Sequence, residues 1–201
     1  DADQEVTSVM LYRFNTGGYD LQFLGGVFTG SDYVLGGGFS GSIAGGGFSG
    51  EFTYFRPMDD QNNDDGGRAT ATLHYDYTFQ SSLNLQFEAL YNGFGADDFA
   101  NGIGDIVFQD LSPKNLFPTK LAFLGSGGYD VSPLFRVMLA GMYGPEGNFL
   151  YLGPTLNYSI SDSMELAGIG QYFSMDEVEG DDGGAFVNQG TAIFIRFKWS
   201  F

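Results

Sequence analysis

The chain has no cysteine, one histidine, one tryptophan and six prolines in 201 residues, and only eight Lys and Arg face 25 Asp and Glu. Without thiols, neither disulfides nor thiolate metal sites hold this protein together. A formal net charge of −17 would repel phosphates and argues against a nucleic-acid partner. No apolar run reaches the roughly 18 residues that a transmembrane helix needs. The chain opens on DADQEV with no basic, apolar leader before it, as it would after processing or an internal cut. What is abundant is glycine, 32 residues, and aromatic side chains: 21 Phe, 12 Tyr and one Trp.

These residues fall into segments of alternating polarity, about ten residues each, separated by turn-forming residues. Eleven segments are predicted as strands, at 5–14, 19–29, 33–43, 47–56, 69–79, 83–92, 119–129, 134–143, 149–160, 164–173 and 191–201. The last reads TAIFIRFKWSF. Ile193, Ile195, Phe197, Trp199 and Phe201 share one face of it, and Phe194, Arg196, Lys198 and Ser200 share the other. A strand this apolar on one face, placed at a chain end, has little use in water, where ends usually fray.

With that terminal strand the chain resembles the bacterial outer-membrane β-barrel proteins, porin-like in character. The resemblance implies an all-β fold, a transmembrane antiparallel up-and-down β-barrel in the bacterial outer membrane. It also implies that Phe197, Trp199 and Phe201 act as an assembly signal for the barrel-assembly machinery. The expected surroundings are the lipid bilayer and lipopolysaccharide.

If Phe201 lies at the periplasmic rim, the connections sort by length. The tight ones, near 15–18, 44–46, 80–82, 130–133 and 161–163, are periplasmic. The long ones, 57–68, 93–118 and 174–190, all face outward, with the shorter 30–32 and 144–148. Charge gives an independent test. Of the 25 acids, 18 fall on the outer side, among them Asp32, against only Arg68 and Lys114, so an acidic rim is expected. The other bases, Arg13, Arg56, Lys120, Arg136, Arg196 and Lys198, are assigned to the lumen. Outward-facing aromatics form two interfacial girdles: Tyr33, Tyr54, Tyr91, Tyr143 and Tyr172 outside, and Tyr19, Tyr77, Phe79, Tyr129, Phe135, Tyr158, Trp199 and Phe201 inside.

Residues 1–201 read as one barrel domain. Eleven strands with a periplasmic C-terminus leave Asp1 outside, whereas single-chain bacterial barrels have even strand numbers. The expectation is therefore a C-terminal portion of a larger barrel, lacking N-terminal strands; a complete barrel of ten or twelve strands is the competing reading. Pro154 falls mid-strand and predicts a bulge or local break. The duplicated GGGFSG, at 36–41 and 45–50, is either a surface for a partner or a bent, crowded hairpin wall, the latter preferred.

The lumen face carries the candidate pore-lining residues Arg13, Glu51, His74, Asp76, Glu88, Lys120, Arg136, Glu165, Arg196 and Lys198. In a wide barrel such a wall creates a transverse field that screens solutes by size and charge. In a narrow one the same groups pair into a closed core. His74 and Asp76 resemble the pair of the omptin-type barrel proteases, but that family's pair sits at the outer rim, and His74 lies mid-strand. No catalytic residue, metal or cofactor is assigned, and the chain is not expected to be an enzyme. The longest connection, 93–118, holds Ile103, Ile106, Val107, Phe108, Leu111, Leu116 and Phe117, which a solvated loop would not want; folding inward over the mouth is preferred to capping it or docking a partner. The acidic runs 59–65 and 176–182 lack EF-hand spacing. They read as solvated loops, with a weak divalent-cation role bridging to lipopolysaccharide phosphates as the alternative. The expected function is passive diffusion of small hydrophilic solutes through a channel whose acidic mouth favours cations. The alternative is a non-conducting structural or accessory subunit of a larger outer-membrane complex, with outer-membrane protein partners.

Overall fold

The computed structural model of the chain describes residues 6–29, 31–58, 66–95, 114–115, 117–175, 178–179, 185–186 and 189–200. Alternating side chains and short turns produce a meander. Its strands are β1 (Ser8–Thr16), β2 (Tyr19–Phe28), β3 (Asp32–Ile43), β4 (Gly46–Pro57), β5 (Arg68–Thr78), β6 (Asn84–Asn92), β7 (Leu121–Ser132), β8 (Phe135–Gly144), β9 (Phe149–Ser161), β10 (Met164–Ser174) and β13 (Gln189–Trp199). These eleven form one antiparallel sheet in chain order, and β11 (Val178–Glu179) pairs separately with β12 (Ala185–Phe186). The eleven expected strands are all present, with ends shifted by up to three residues; the β11–β12 hairpin is additional. Every long connection lies at one end of the sheet, the loop end, and the tight turns lie at the other, the turn end.

The turns have the chemistry that two-residue hairpins require. Gly17 and Gly18 both take positive φ, 58° and 82°, the pattern of a type I′ turn. Ala44 and Gly45 repeat it at 51° and 83°, so an alanine is held there in the left-handed region. The glycine repeats on the β3–β4 hairpin make room for neighbours. A methyl group on Gly41 would lie 2.3 Å from the Tyr19 ring, one on Gly50 would lie 2.8 Å from Phe39, and one on Gly47 would lie 2.4 Å from the Asp76 carboxylate. The crowded hairpin wall is thus what the repeat builds. Phe39 and Phe48 then meet at 5.0 Å between centroids, a contact of about 0.5–1.5 kcal/mol.

Pro154 interrupts without bulging. The β9–β10 ladder skips residues 153 and 154 yet keeps the same register on both sides, from Thr155 opposite Ile169 to Leu152 opposite Tyr172. The register shifts fall elsewhere, between Met164 and Glu165 and between Asp130 and Ser132.

Register divides the sheet into two faces. Leu73, Phe87, Leu139, Leu156, Ile193 and Ile195 share the apolar face with the girdle residues Tyr33, Tyr91, Tyr129, Tyr143, Tyr158 and Trp199, and all of these are exposed. Large apolar side chains exposed on one whole face are the reverse of a soluble sheet and suit contact with lipid. Arg56 is a correction. It stands opposite Tyr33 and alternates with Phe55, so it belongs to the apolar face rather than the lumen. At the loop end it is level with the interface, where the cost of an outward arginine falls to about 0–1 kcal/mol.

Candidate functional site

The polar face is the concave one. Asn92, at the end of β6, donates from Nδ2 to Asn115 Oδ1 at 2.7 Å and to the Phe117 carbonyl at 2.5 Å. Lys114 reaches the Asp32 carboxylate at the start of β3. Residues 114, 115 and 117 therefore link β6 to β3 across the polar face, a chord that only the inner side of a curved sheet permits. The expected inward course of the long connection holds at residues 114, 115 and 117; Ile103, Ile106, Val107, Phe108, Leu111 and Leu116 lie outside the described residues.

Asp32 and Lys114 lie at the loop end, on the expected outer side, but they are packed there: Asp32 is only 5% exposed. The Lys114 ammonium also lies over the rings of Phe28, at 5.6 Å, and Phe55, at 5.8 Å. Phe55 stacks edge-on with Phe28 and with Phe94, and the Arg68 guanidinium covers Phe94. With Val34, these side chains make a small core at the loop end of the lumen.

Below that core lies a polar concavity of about 730 Å³. Its floor is small, Ser40 and Ser49, with Arg13, Asn15 and Asp20 on one flank and Glu51, Thr72, His74 and Glu88 on the other. Gln22 lies across Gly38, where a methyl group would meet its Nε2 at 2.8 Å, and so donates to Glu51 Oε1 at 3.2 Å. His74 Nε2 is 3.3 Å from Asp76 Oδ1, and its Nδ1 is 4.0 Å from Glu88 Oε2. On the opposite arc, Arg136 bonds Asp130 at 3.0 Å and Arg196 bonds Glu165 at 3.1 Å, while Lys198 stands opposite Glu165 in register. By alternation with Ala122 and Leu124, Lys120 joins the same face. All ten residues named as pore-lining thus share the inner face, with acids concentrated on β4–β6 and bases on β8–β13. Phe197 and Trp199 point to the apolar face of β13, and Phe201 lies outside the described residues.

Asn92, Asp32 and Lys114 are the site residues that sequence reasoning did not single out as anchors. Asn92 is 2% exposed and bonds both flanks of the connection. No local signal marks such a residue.

No family model and no curated protein matches the sequence. Solved structures do. The outer membrane channel DcaP of Acinetobacter baumannii superposes with a TM-score of 0.56 at 13% identity, over 98% of this chain and 63% of that one. The fold is that of the outer-membrane porins. An anion-selective porin from Comamonas acidovorans superposes with a TM-score of 0.50 at 12% identity, over 96% of this chain and 59% of that one. The chain thus spans less than two thirds of the length of either porin.

Proposed function

We propose that the chain forms part of the wall of a bacterial outer-membrane channel for passive diffusion of small hydrophilic solutes, with a preference for cations, and is a channel rather than an enzyme. The observation that carries the proposal is the division of charge. Among the described residues the inner face holds seven acids, Asp20, Asp32, Glu51, Asp76, Glu88, Asp130 and Glu165. It also holds seven bases, Arg13, Arg68, Lys114, Lys120, Arg136, Arg196 and Lys198. The inner face is therefore balanced, and the net −17 of the chain resides in the remaining 18 acids and Arg56. All of these acids but Asp162 belong to loop-end connections or to the N-terminal segment, where negative charge concentrates cations at the entrance. One structural neighbour bears the name anion-selective; the cation preference proposed here is argued from this chain's own charges.

A barrel in lipid cannot leave a sheet edge unpaired. Strands β1 and β13 are the edges of the described sheet, and as first and eleventh in a meander they run in the same direction. An all-antiparallel closure therefore needs an odd number of strands between them. We assign residues 1–201 to one domain of such a larger barrel, consistent with the share of each porin that it covers.

Channel formation is tested by recording the full-length protein in a planar bilayer under a potassium chloride gradient. Stable current steps with a reversal potential on the cation side are expected. A second reading, a silent accessory barrel, is favoured by an apolar hollow of about 780 Å³ on the lipid-facing side. Gly125, Gly127 and Gly141 floor it, and Tyr75, Tyr77, Phe87 and Leu139 wall it. Folded protein that never conducts would overturn the channel and leave this reading.

A further inference from the structure

We propose that the apolar hollow on the lipid-facing side of β5–β9 is a seat for one acyl chain of a membrane glycerophospholipid, entered from the turn end.

The seat follows from where side chains are missing. On β7 and β8 the outward positions Gly125, Gly127 and Gly141 cluster, with Gly125 opposite Gly141 in register. The strands on either side carry large groups at the same level: Phe87 pairs with Gly125, and Leu152 pairs with Gly141. A floor without side chains thus lies between two walls, about 14 Å apart over three strand spacings. The hollow that these residues line measures about 780 Å³.

Its polar groups are turned elsewhere. Tyr75 directs its hydroxyl to the Ile43 carbonyl, 3.5 Å away, and the Tyr77 ring packs edge-on against Phe79 at 4.7 Å between centroids. Gln86 and Ser126 border the floor, but their side chains belong to the lumen face, where Ser126 Oγ lies 3.2 Å from Gln86 Oε1 and donates to it. Among the described residues, none that lines the hollow is charged. What it recognises is therefore hydrocarbon rather than a head group.

Depth selects the occupant. On β7 and β8 the girdle residue Tyr129 lies toward the turn end and Tyr143 toward the loop end, and the glycine floor lies between them, at hydrocarbon depth. The hollow continues the lipid-facing surface, whose neighbours are acyl chains. Water gains nothing in an apolar hollow, and wall atoms without partners forfeit dispersion contacts that a seated chain supplies. A protein occupant at this depth would have to be another membrane-spanning segment. Ala44 and Phe79, both at the turn end, also line the hollow, so it reaches the girdle there and admits a chain from the leaflet on that side.

Native mass spectrometry of the full-length protein, extracted from outer membranes in mild detergent, tests the seat. Wild type is expected to keep one glycerophospholipid per chain through washing. Gly125→Leu fills the floor, where an added methyl group meets nothing closer than the Gln86 carbonyl oxygen at 3.9 Å. It is expected to retain about tenfold less lipid, the factor that ~1.4 kcal/mol of lost contact gives. Gly168→Leu, on the lipid face of β10 with nothing within 4 Å, should retain as much as wild type. Heat-modified gel mobility checks that each variant is a folded barrel. Equal retention by Gly125→Leu and wild type would overturn the seat, and so would equal loss in both variants, which a general lipid coat would give. Lipopolysaccharide retained in place of glycerophospholipid would overturn the entry from the turn end. A second copy of the chain, held by wild type without lipid and released by Gly125→Leu, would overturn the seat and give the hollow to a protein interface. No current is read, so a barrel that never conducts leaves the test intact.

Discussion

Two ion pairs on the same inner face differ in what surrounds them. The side chains of Lys114 and Asp32 are 23% and 7% exposed, and the ammonium lies over Phe28 and Phe55. Arg196 and Glu165 are 59% and 37% exposed on adjacent strands and face the lumen directly. The first pair joins segments far apart in the chain and the second joins strand neighbours. A buried charge has no water to replace its partner, whereas an exposed one is solvated and screened. The same chemistry thus occurs in two settings, packed at the β3–β5 loop end and exposed along β8–β13.

The largest effect expected is on the packed side. Asp32→Ala strands the Lys114 ammonium among apolar side chains, and about 3–5 kcal/mol of stability should be lost. The loss is read as a lower midpoint of urea unfolding in detergent micelles or lipid vesicles. Double replacement by apolar residues, Asp32→Leu with Lys114→Met, should recover much of it, because no uncompensated charge remains. If the single variant unfolds like wild type, the contrast between the two pairs disappears.

Next in size is a charge placed on the lipid face. Phe87 and Leu139 lie mid-strand there, and Phe87→Arg should cost about 2–4 kcal/mol, the range for arginine at the bilayer midplane. Glu88→Arg, one residue along and turned to the lumen, should cost far less in stability while changing selectivity. Equal penalties at the two sites would show that the face assignment is wrong.

The strands were readable because alternation is a local property: each side chain's neighbours two residues away report its face. Turn pairs such as Gly17 and Gly18 are local as well. The crowding of the glycine repeat was partly readable, as a wall needing space, but which rings fill it depends on β2 and β5. The Lys114–Asp32 contact was not readable, because a lysine in a polar connection signals solvent and its carboxylate lies 82 residues away. Arg56 follows the phase set by Phe52 and Tyr54, which puts it on the apolar face, although its charge alone suggests the lumen. Near a membrane interface that phase wins, since the outward penalty there is small.

Glycines carry the same contrast on a smaller scale. A methyl group at Gly46, beside the packed hairpin, would lie 2.3 Å from the Asp76 carbonyl oxygen, a backbone atom that cannot swing aside. Gly46→Ala should therefore cost about 1–3 kcal/mol, the range for overpacking. At Gly168 on β10 nothing lies within 4 Å, and Gly168→Ala should stay within about 0.5 kcal/mol of wild type. Chemical unfolding of the two variants side by side tests whether the backbone crowding at Gly46 carries this cost.

A small stability change is likewise expected for Arg196→Ala. Its exposed pair with Glu165 contributes about 0–1 kcal/mol, so the unfolding midpoint should barely move. The field should respond more, because the substitution removes a base from the basic arc and leaves Glu165 opposite Lys198 alone. The reversal potential under a salt gradient should shift further toward cations, and the shift should shrink as ionic strength rises and screening shortens the field. A variant with unchanged selectivity and clearly lowered stability would invert the comparison, with the exposed β10–β13 pair contributing as the packed one does.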